Sequence, residues 1–177
     1  MPPINRERVL KALNFEPADR VPIDIGGGPA TRIHTSAYAR LLQHLGFAPE
    51  QDLTAGAHPT LAGQNTICPS EKVLRHFDID VRGFYLGSSN SRPIRPTGPH
   101  SYVDDWGVTW TRAHETAPHM NIAGPLERLD DPTPADLDAI AWPVPDDPGL
   151  TRGLRERIER ARTETGCAIC LNLPNAT

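Results

Sequence analysis

Lysine is nearly absent from this sequence. Of its 18 basic residues only Lys11 and Lys72 are lysines, and the 22 acidic residues leave a formal charge of −4. Charges of both signs are interspersed, so the basic surface that binds nucleic-acid phosphates is missing and no nucleic-acid partner is expected. The arginine bias by itself assigns no chemistry. Long apolar runs are missing too. A membrane-spanning helix needs about 18 or more apolar residues in succession, and no such run occurs, so no membrane partner is expected. No basic segment leads into an apolar one, so no secretory signal is expected. Three cysteines, an odd number, do not form a disulfide scaffold; reduced thiols and a cytoplasmic location are the expectation. Hydrophobic residues make up 38%, below the ~45–50% (a count that includes Gly) usual for a compact domain. Proline and glycine are abundant instead, with 19 and 14 in 177 residues. That length suits one domain.

The pattern of elements predicts an α/β fold with parallel strands. Asn5 caps a short helix carrying Val9, Leu10 and Leu13 at helical spacing, which Pro17 ends. Residues 21–25 read as a strand that begins at or near an edge because Pro22 lacks an N–H. Gly26, Gly27 and Gly28 break it. A second helix spans about 36–45, capped by Thr35 or Ser36 and stopped by Gly46. Residues 47–69 are weakly patterned and read as a long loop. A helix follows Ser70 to about Phe77, and a strand runs over 80–86. Residues 102–103 and 108–111 bracket a turn and predict a β-hairpin. Thr133 opens a capping box with Pro134 at the first helical position. A Pro-rich connector at 142–148 leads to the longest helix, about 150–165. The apolar run 167–173 reads as a strand buried on both faces.

Several motifs invite chemistry. The three glycines between a strand and a helix resemble a phosphate loop, but Thr31 stands where the dinucleotide pattern needs glycine, and no Gly-Lys-Ser/Thr follows. A looser reading remains: glycines at a strand's C-terminal end let a substrate approach the backbone. Cys167 and Cys170 have Cys-x-x-Cys spacing, yet residues three apart on a strand face opposite ways and cannot share one metal. His34 follows the glycine loop beside Arg32, where a pocket role competes with helix capping. Asp78, Asp80 and Arg82 flank the start of the 80–86 strand, where substrate binding competes with a strand-end salt bridge. Packing accounts for Trp106 and Trp110.

The order of segments resembles the opening of uroporphyrinogen decarboxylase-family proteins. The likeness is carried by NRERVLKALNFEPADRVPID (5–24), IHTSAY (33–38), DIDVRG (78–83), DDWGVTW (104–110) and WPVPDDP (142–148). It implies a TIM-type (β/α)8 barrel and an activity of porphyrinogen decarboxylation or of methyl transfer between corrinoid proteins and thiol or folate acceptors. The decarboxylase holds substrate carboxylates with an arginine-rich loop of the form Arg-Gln-Ala-Gly-Arg; here residues 26–32 offer only Arg32. One guanidinium matches several carboxylates poorly, which favours the methyltransferase branch.

The fold expected from the resemblance is therefore a partial TIM-type (β/α)8 barrel: about three core strands, flanking helices and a β-hairpin insertion in a single incomplete domain, 1–177. Such a barrel needs roughly 250 residues, so the chain is expected to be an N-terminal piece lacking its C-terminal half; the alternatives are a catalytically inactive truncated remnant or a piece without catalysis of its own that depends on a partner. A self-contained three-layer α/β domain is the alternative fold. The resemblance places Arg32, His34, Arg82 and Asn172 around the substrate, with Asp80 as the catalytic residue, or as the group holding pyrrole N–H groups if decarboxylation is the reaction. No cofactor is expected in this piece. Zinc, held by a His and two Cys of the second half, and a corrinoid protein or small-molecule substrate are implied for the whole methyltransferase.

Overall fold

The computed structural model describes residues 5–49, 65–115 and 117–173. The chain is a mixed α/β protein whose described residues form three small sheets and no closed barrel. They fall into two compact units, one of residues 5–49, 66–86 and 153–173, the other of Asn65 and 87–152. Most of the weakly patterned 47–69 stretch lies outside the described residues. No helix among the described residues is long and apolar enough to cross a membrane.

In the first unit, α1 (Asn5–Leu13) is followed by an extended segment, a 3-10 turn (Pro29–Thr31), β1 (Ile33–His34) and α2 (Thr35–His44). Next come β2 (Thr66–Ile67), α3 (Glu71–His76) and β3 (Val81–Tyr85). Strand β1 pairs antiparallel with β2, Ile33 opposite Ile67. Tyr38 and Leu42 of α2 pack with Ile67 and Val73 in a core that Ile33, Leu41 and Phe47 border. Gly46, at φ +66°, ends α2, and the Phe47 N–H returns to the Leu42 carbonyl.

Residues 21–25 run extended beside β3 without forming a ladder. The Asp80 N–H donates to the Ile23 carbonyl at 3.0 Å, and the Ile23 N–H donates to the Asp80 carboxylate at 2.8 Å. Pro22 has no N–H to offer and a side chain takes the next one, so regular pairing stops there. The segment is also less buried than its alternation predicted, with Val21 81% exposed.

A buried carboxylate holds these pieces together. Asp80 has no exposed surface. It accepts hydrogen bonds from Arg8 of α1 and from Arg20 at 2.6 Å. Arg8, itself buried, forks to both Asp19 oxygens at 2.7 and 2.8 Å. That hydrogen bond holds the Asp19 carboxyl down at about 2.

The second unit is a four-stranded antiparallel meander of β4 (Arg95–Gly98), β5 (Ser101–Val103), β6 (Thr109–Thr111) and β7 (Met120–Ala123), in that order. The expected hairpin is its centre, β5–β6. Its outer strands escaped the alternation test because β4 is exposed throughout and β7 nearly so; Pro96 suits an edge strand. Helix α4 (Pro134–Asp138) has the expected capping box. Next, α5 (Pro148–Thr151) is capped by Asp147. The helix expected over 150–165 is in fact two: Gly153, at φ +62°, separates α5 from α6 (Leu154–Thr165), which belongs to the first unit.

Strand β8 (Ala168–Asn172) pairs parallel with β3, Val81 opposite Ala168 and Tyr85 opposite Asn172. It is not buried on both faces as its composition predicted. It has one neighbouring strand among the described residues, and Leu171 is 47% exposed.

Removing Asp80 strands two arginines around an empty site. Asp80→Ala is expected to cost about 3–5 kcal/mol, as when one member of a buried ion pair is deleted. Urea unfolding checks this; a loss below about 1 kcal/mol, the scale of a surface pair, would contradict a structural role.

Candidate functional site

The glycine loop is built by short-range bonds. The Gly27 N–H donates to Asp24 Oδ1 at 2.7 Å, and Thr31 Oγ1 donates to Asp24 Oδ2 at 3.0 Å. The Gly26 N–H donates to the Thr31 carbonyl at 2.9 Å. Gly26 has φ +82°, a conformation that favours glycine.

The loop then lies directly on β3. A Cβ on Gly83 would come within 2.4 Å of the Gly26 carbonyl oxygen and 2.7 Å of that of Gly27. Gly83 therefore sets how closely the loop approaches. From the neighbouring strand, the Asn172 amide donates to the Gly27 carbonyl at 2.7 Å and to that of Phe84 at 3.3 Å. Gly28 is left open: a Cβ there would have only Asn172 Oδ1 nearby, at 3.7 Å.

A second group borders the loop. The β1–β2 register brings Arg32, just before β1, across from Cys68, just after β2. Arg32 donates to the Thr66 carbonyl, and its guanidinium lies 6.0 Å from the centre of the Tyr85 ring. Cys68 Sγ donates to the Gly26 carbonyl at 3.3 Å and lies 3.9 Å from the Tyr85 hydroxyl. Burial raises the Cys68 thiol pKa against the opposing pull of Arg32. Burial, with Cys68 beside it, also raises that of Tyr85. Both groups are protonated at neutral pH and act as hydrogen-bond donors there.

Of the residues selected from sequence, Arg32 and Asn172 meet at this loop, which sits at the C-terminal ends of β3 and β8. The others do not. His34 is exposed and caps α2: its ring nitrogen accepts from the Ser36 N–H at 3.3 Å. It takes the place expected of Thr35 or Ser36. Asp80 precedes the opposite end of β3, five residues from Tyr85, or about 16 Å at ~3.3 Å per residue. Its carboxylate is enclosed by the arginines described above, so the salt-bridge reading is the one the geometry shows. Arg82 points to α3, where Glu71 accepts at 2.7 and 3.1 Å, and it also donates to the Ile79 and Val81 carbonyls.

Asp24, Cys68, Gly83 and Tyr85 were not selected. Gly83 was readable, since an isolated glycine inside a strand marks close backbone approach. Cys68 had no such signal, because its position depends on the β1–β2 pairing. The described residues gather no group of three or more His, Cys, Asp or Glu that would hold a metal. The resemblance places its zinc ligands beyond these residues, and no step through zinc is assigned to them.

No family model matches the chain, and neither a curated protein nor a solved structure matches it.

Gly83→Ala is expected to push the loop off β3 and to cost about 1–3 kcal/mol, the usual range for overpacking. Chemical denaturation reads the loss, and wild-type stability would mean that the loop approaches less closely. The raised Cys68 pKa predicts slow alkylation at pH 7 that rises steeply only in alkaline solution, because the thiolate is the nucleophile. Arg32→Met removes the opposing charge and should slow it further. Peptide mapping after iodoacetamide treatment checks both; Cys68 labelling faster than free cysteine at pH 7 would refute the assignment.

Proposed function

We propose that the chain supplies the first three strand positions of a (β/α)8 barrel of the uroporphyrinogen decarboxylase family, from its corrinoid-dependent methyltransferase branch. The observation that carries this reading is the glycine loop laid over Gly83 and tied to Asn172 at the C-terminal ends of β3 and β8. That end is where barrel enzymes bind substrate. The order of segments supports it. Residue 23 lies beside 80 and residue 27 beside 83, so segment 21–25 runs in the direction of β3. Strand β8 pairs with β3 in parallel, as neighbouring barrel strands do. The outer edge of β8, unpaired among the described residues, is where a fourth strand would add.

In this reading Asp24 and Asn172 hold the loop so that the open Cα of Gly28, whose N–H and carbonyl are bonded to Thr31, lets a small substrate come close. Arg32 supplies positive charge for an acidic group on it. A corrinoid protein is the methyl-carrying partner, and the corrinoid supplies the transferable methyl group when bound. Arg32 is the arginine that borders the loop, which suits a substrate with fewer acidic groups than a porphyrinogen. Asp80, the residue expected to hold pyrrole N–H groups, is enclosed by its ion pairs, which gives decarboxylation no support.

The test follows methylcobalamin absorbance with 2-mercaptoethanol and added zinc, using the protein as isolated from its own source with whatever copurifies. Demethylation that falls about 100-fold in Arg32→Met, an order typical of a lost positioning contact, is the expected result. Carbon dioxide release from uroporphyrinogen without cobalamin change would move the chain to the decarboxylase branch. Neither activity would overturn the enzymatic reading.

A further inference from the structure

A separate hollow lies within the second unit, and its walls are set by two carboxylates. Asp104, buried in the β5–β6 turn, accepts the Trp106 and Val108 N–H groups, each at 2.9 Å, and the Trp110 indole N–H at 2.7 Å. Those bonds place the Trp106 indole, which meets Trp142 edge to face at 6.3 Å. Asp147 accepts from Ser89 Oγ at 2.7 Å, Ser91 Oγ at 2.7 Å and the Ser91 N–H at 2.8 Å. Ser89 Oγ in turn accepts from the Arg92 N–H at 2.9 Å. The Asp147 lock thus delivers Arg92, whose Nη2 lies 3.9 Å from where a Cβ on Gly107 would stand.

Arg92 and Trp106 line one side of a hollow of about 510 Å3. Arg128, Pro125, Leu129 and Ile140 line the rest, with Asp136 at its wall. Neither Arg92 nor Arg128 forms an ion pair among the described residues. Among the described residues, Arg92 Nη1 and the Trp106 indole nitrogen are buried donors with no acceptor. Buried donors are normally satisfied, so two such donors beside one hollow call for an acceptor that the described residues do not supply. Asp136 Oδ2 is already taken by the Thr133 N–H and hydroxyl, at 2.9 and 2.6 Å.

We propose that this hollow binds a small organic monocarboxylate. Its anion pairs with Arg92 and Arg128, and its apolar body packs against Trp106, Pro125, Leu129 and Ile140. Two guanidiniums and one carboxylate leave a single positive charge, which one carboxylate balances. A phosphate dianion would exceed it and face Asp136. The size suits a ligand site, since such pockets run to about 300–1,000 Å3. A carboxylate, unlike an amide, accepts charge-assisted bonds from both guanidiniums.

The test uses the full chain, 15N-labelled, with benzoate as the probe. The Trp106 indole resonance, assigned with Trp106→Phe, should shift saturably below about 20 mM benzoate, on the affinity scale of a weak small-ligand site. The neutral isostere benzamide should leave it unmoved, and inorganic phosphate should compete poorly. Arg128 is exposed, so Arg128→Gln should keep the fold and weaken benzoate about tenfold, the loss of one charged contact. Arg92→Gln should do the same, and Arg128→Gln carries the test alone if that variant does not fold. No saturable shift, equal binding of benzamide, stronger binding of phosphate, or unchanged affinity in Arg128→Gln would each overturn the proposal.

Discussion

The first unit depends on one carboxylate. Asp80 stands just before β3 with no exposed surface, bracketed by Arg8 and Arg20. An unpaired charge at such a position would be far too costly to keep. Its two cationic partners come from α1 and from the segment after it, and the Ile23 N–H adds a third donor. Helix α1, the 21–25 segment and the start of β3 are thereby fixed to one point. Asn5 extends the set, bonding Asp78 at 3.0 Å. The register that this anchor sets at one end of β3 decides where the glycine loop arrives at the other.

At that far end the constraint changes from charge to volume. Backbone carbonyls of the loop reach β3 only because residue 83 has no side chain. Asp24 folds the loop locally, and Asn172 ties it to β8. The ends of β3 divide the work. One is closed by ion pairs and excludes solvent; the other presents backbone, a guanidinium and two protonated donors around an open glycine.

This division explains what was legible in the sequence. Helices α1, α2 and α3 and strands β3 and β8 follow from periodicity and from stop residues such as Gly46. Arg32 and Asn172 border the glycine loop, and each was readable as a candidate because it sits beside a boundary, a glycine loop or the end of an apolar run. Asp80 and Arg82 have the composition of a site and the surroundings of an anchor. Only tertiary contacts separate those two, since the partners of Asp80 lie 60 and 72 residues away. His34 caps α2 for a local reason: a histidine ring accepts an N–H as well as the hydroxyls beside it do. The break at Gly153 was readable in principle, but a glycine inside a helical pattern is often tolerated, and its positive φ appears only in three dimensions.

The arginine bias, silent as composition, acquires a physical use in the fold. Arg8 spans two carboxylates at once, Arg20 grips Asp78 and Asp80, and Arg82 joins Glu71 to two backbone carbonyls. A planar guanidinium with five donors can make such forks, whereas an ammonium is a point charge on a flexible stem. In a chain with few hydrophobic residues, these forks connect elements that a larger apolar core would otherwise hold. Arg92 and Arg128, at the hollow of the second unit, join no such fork among the described residues, which leaves their charge for the anion proposed there.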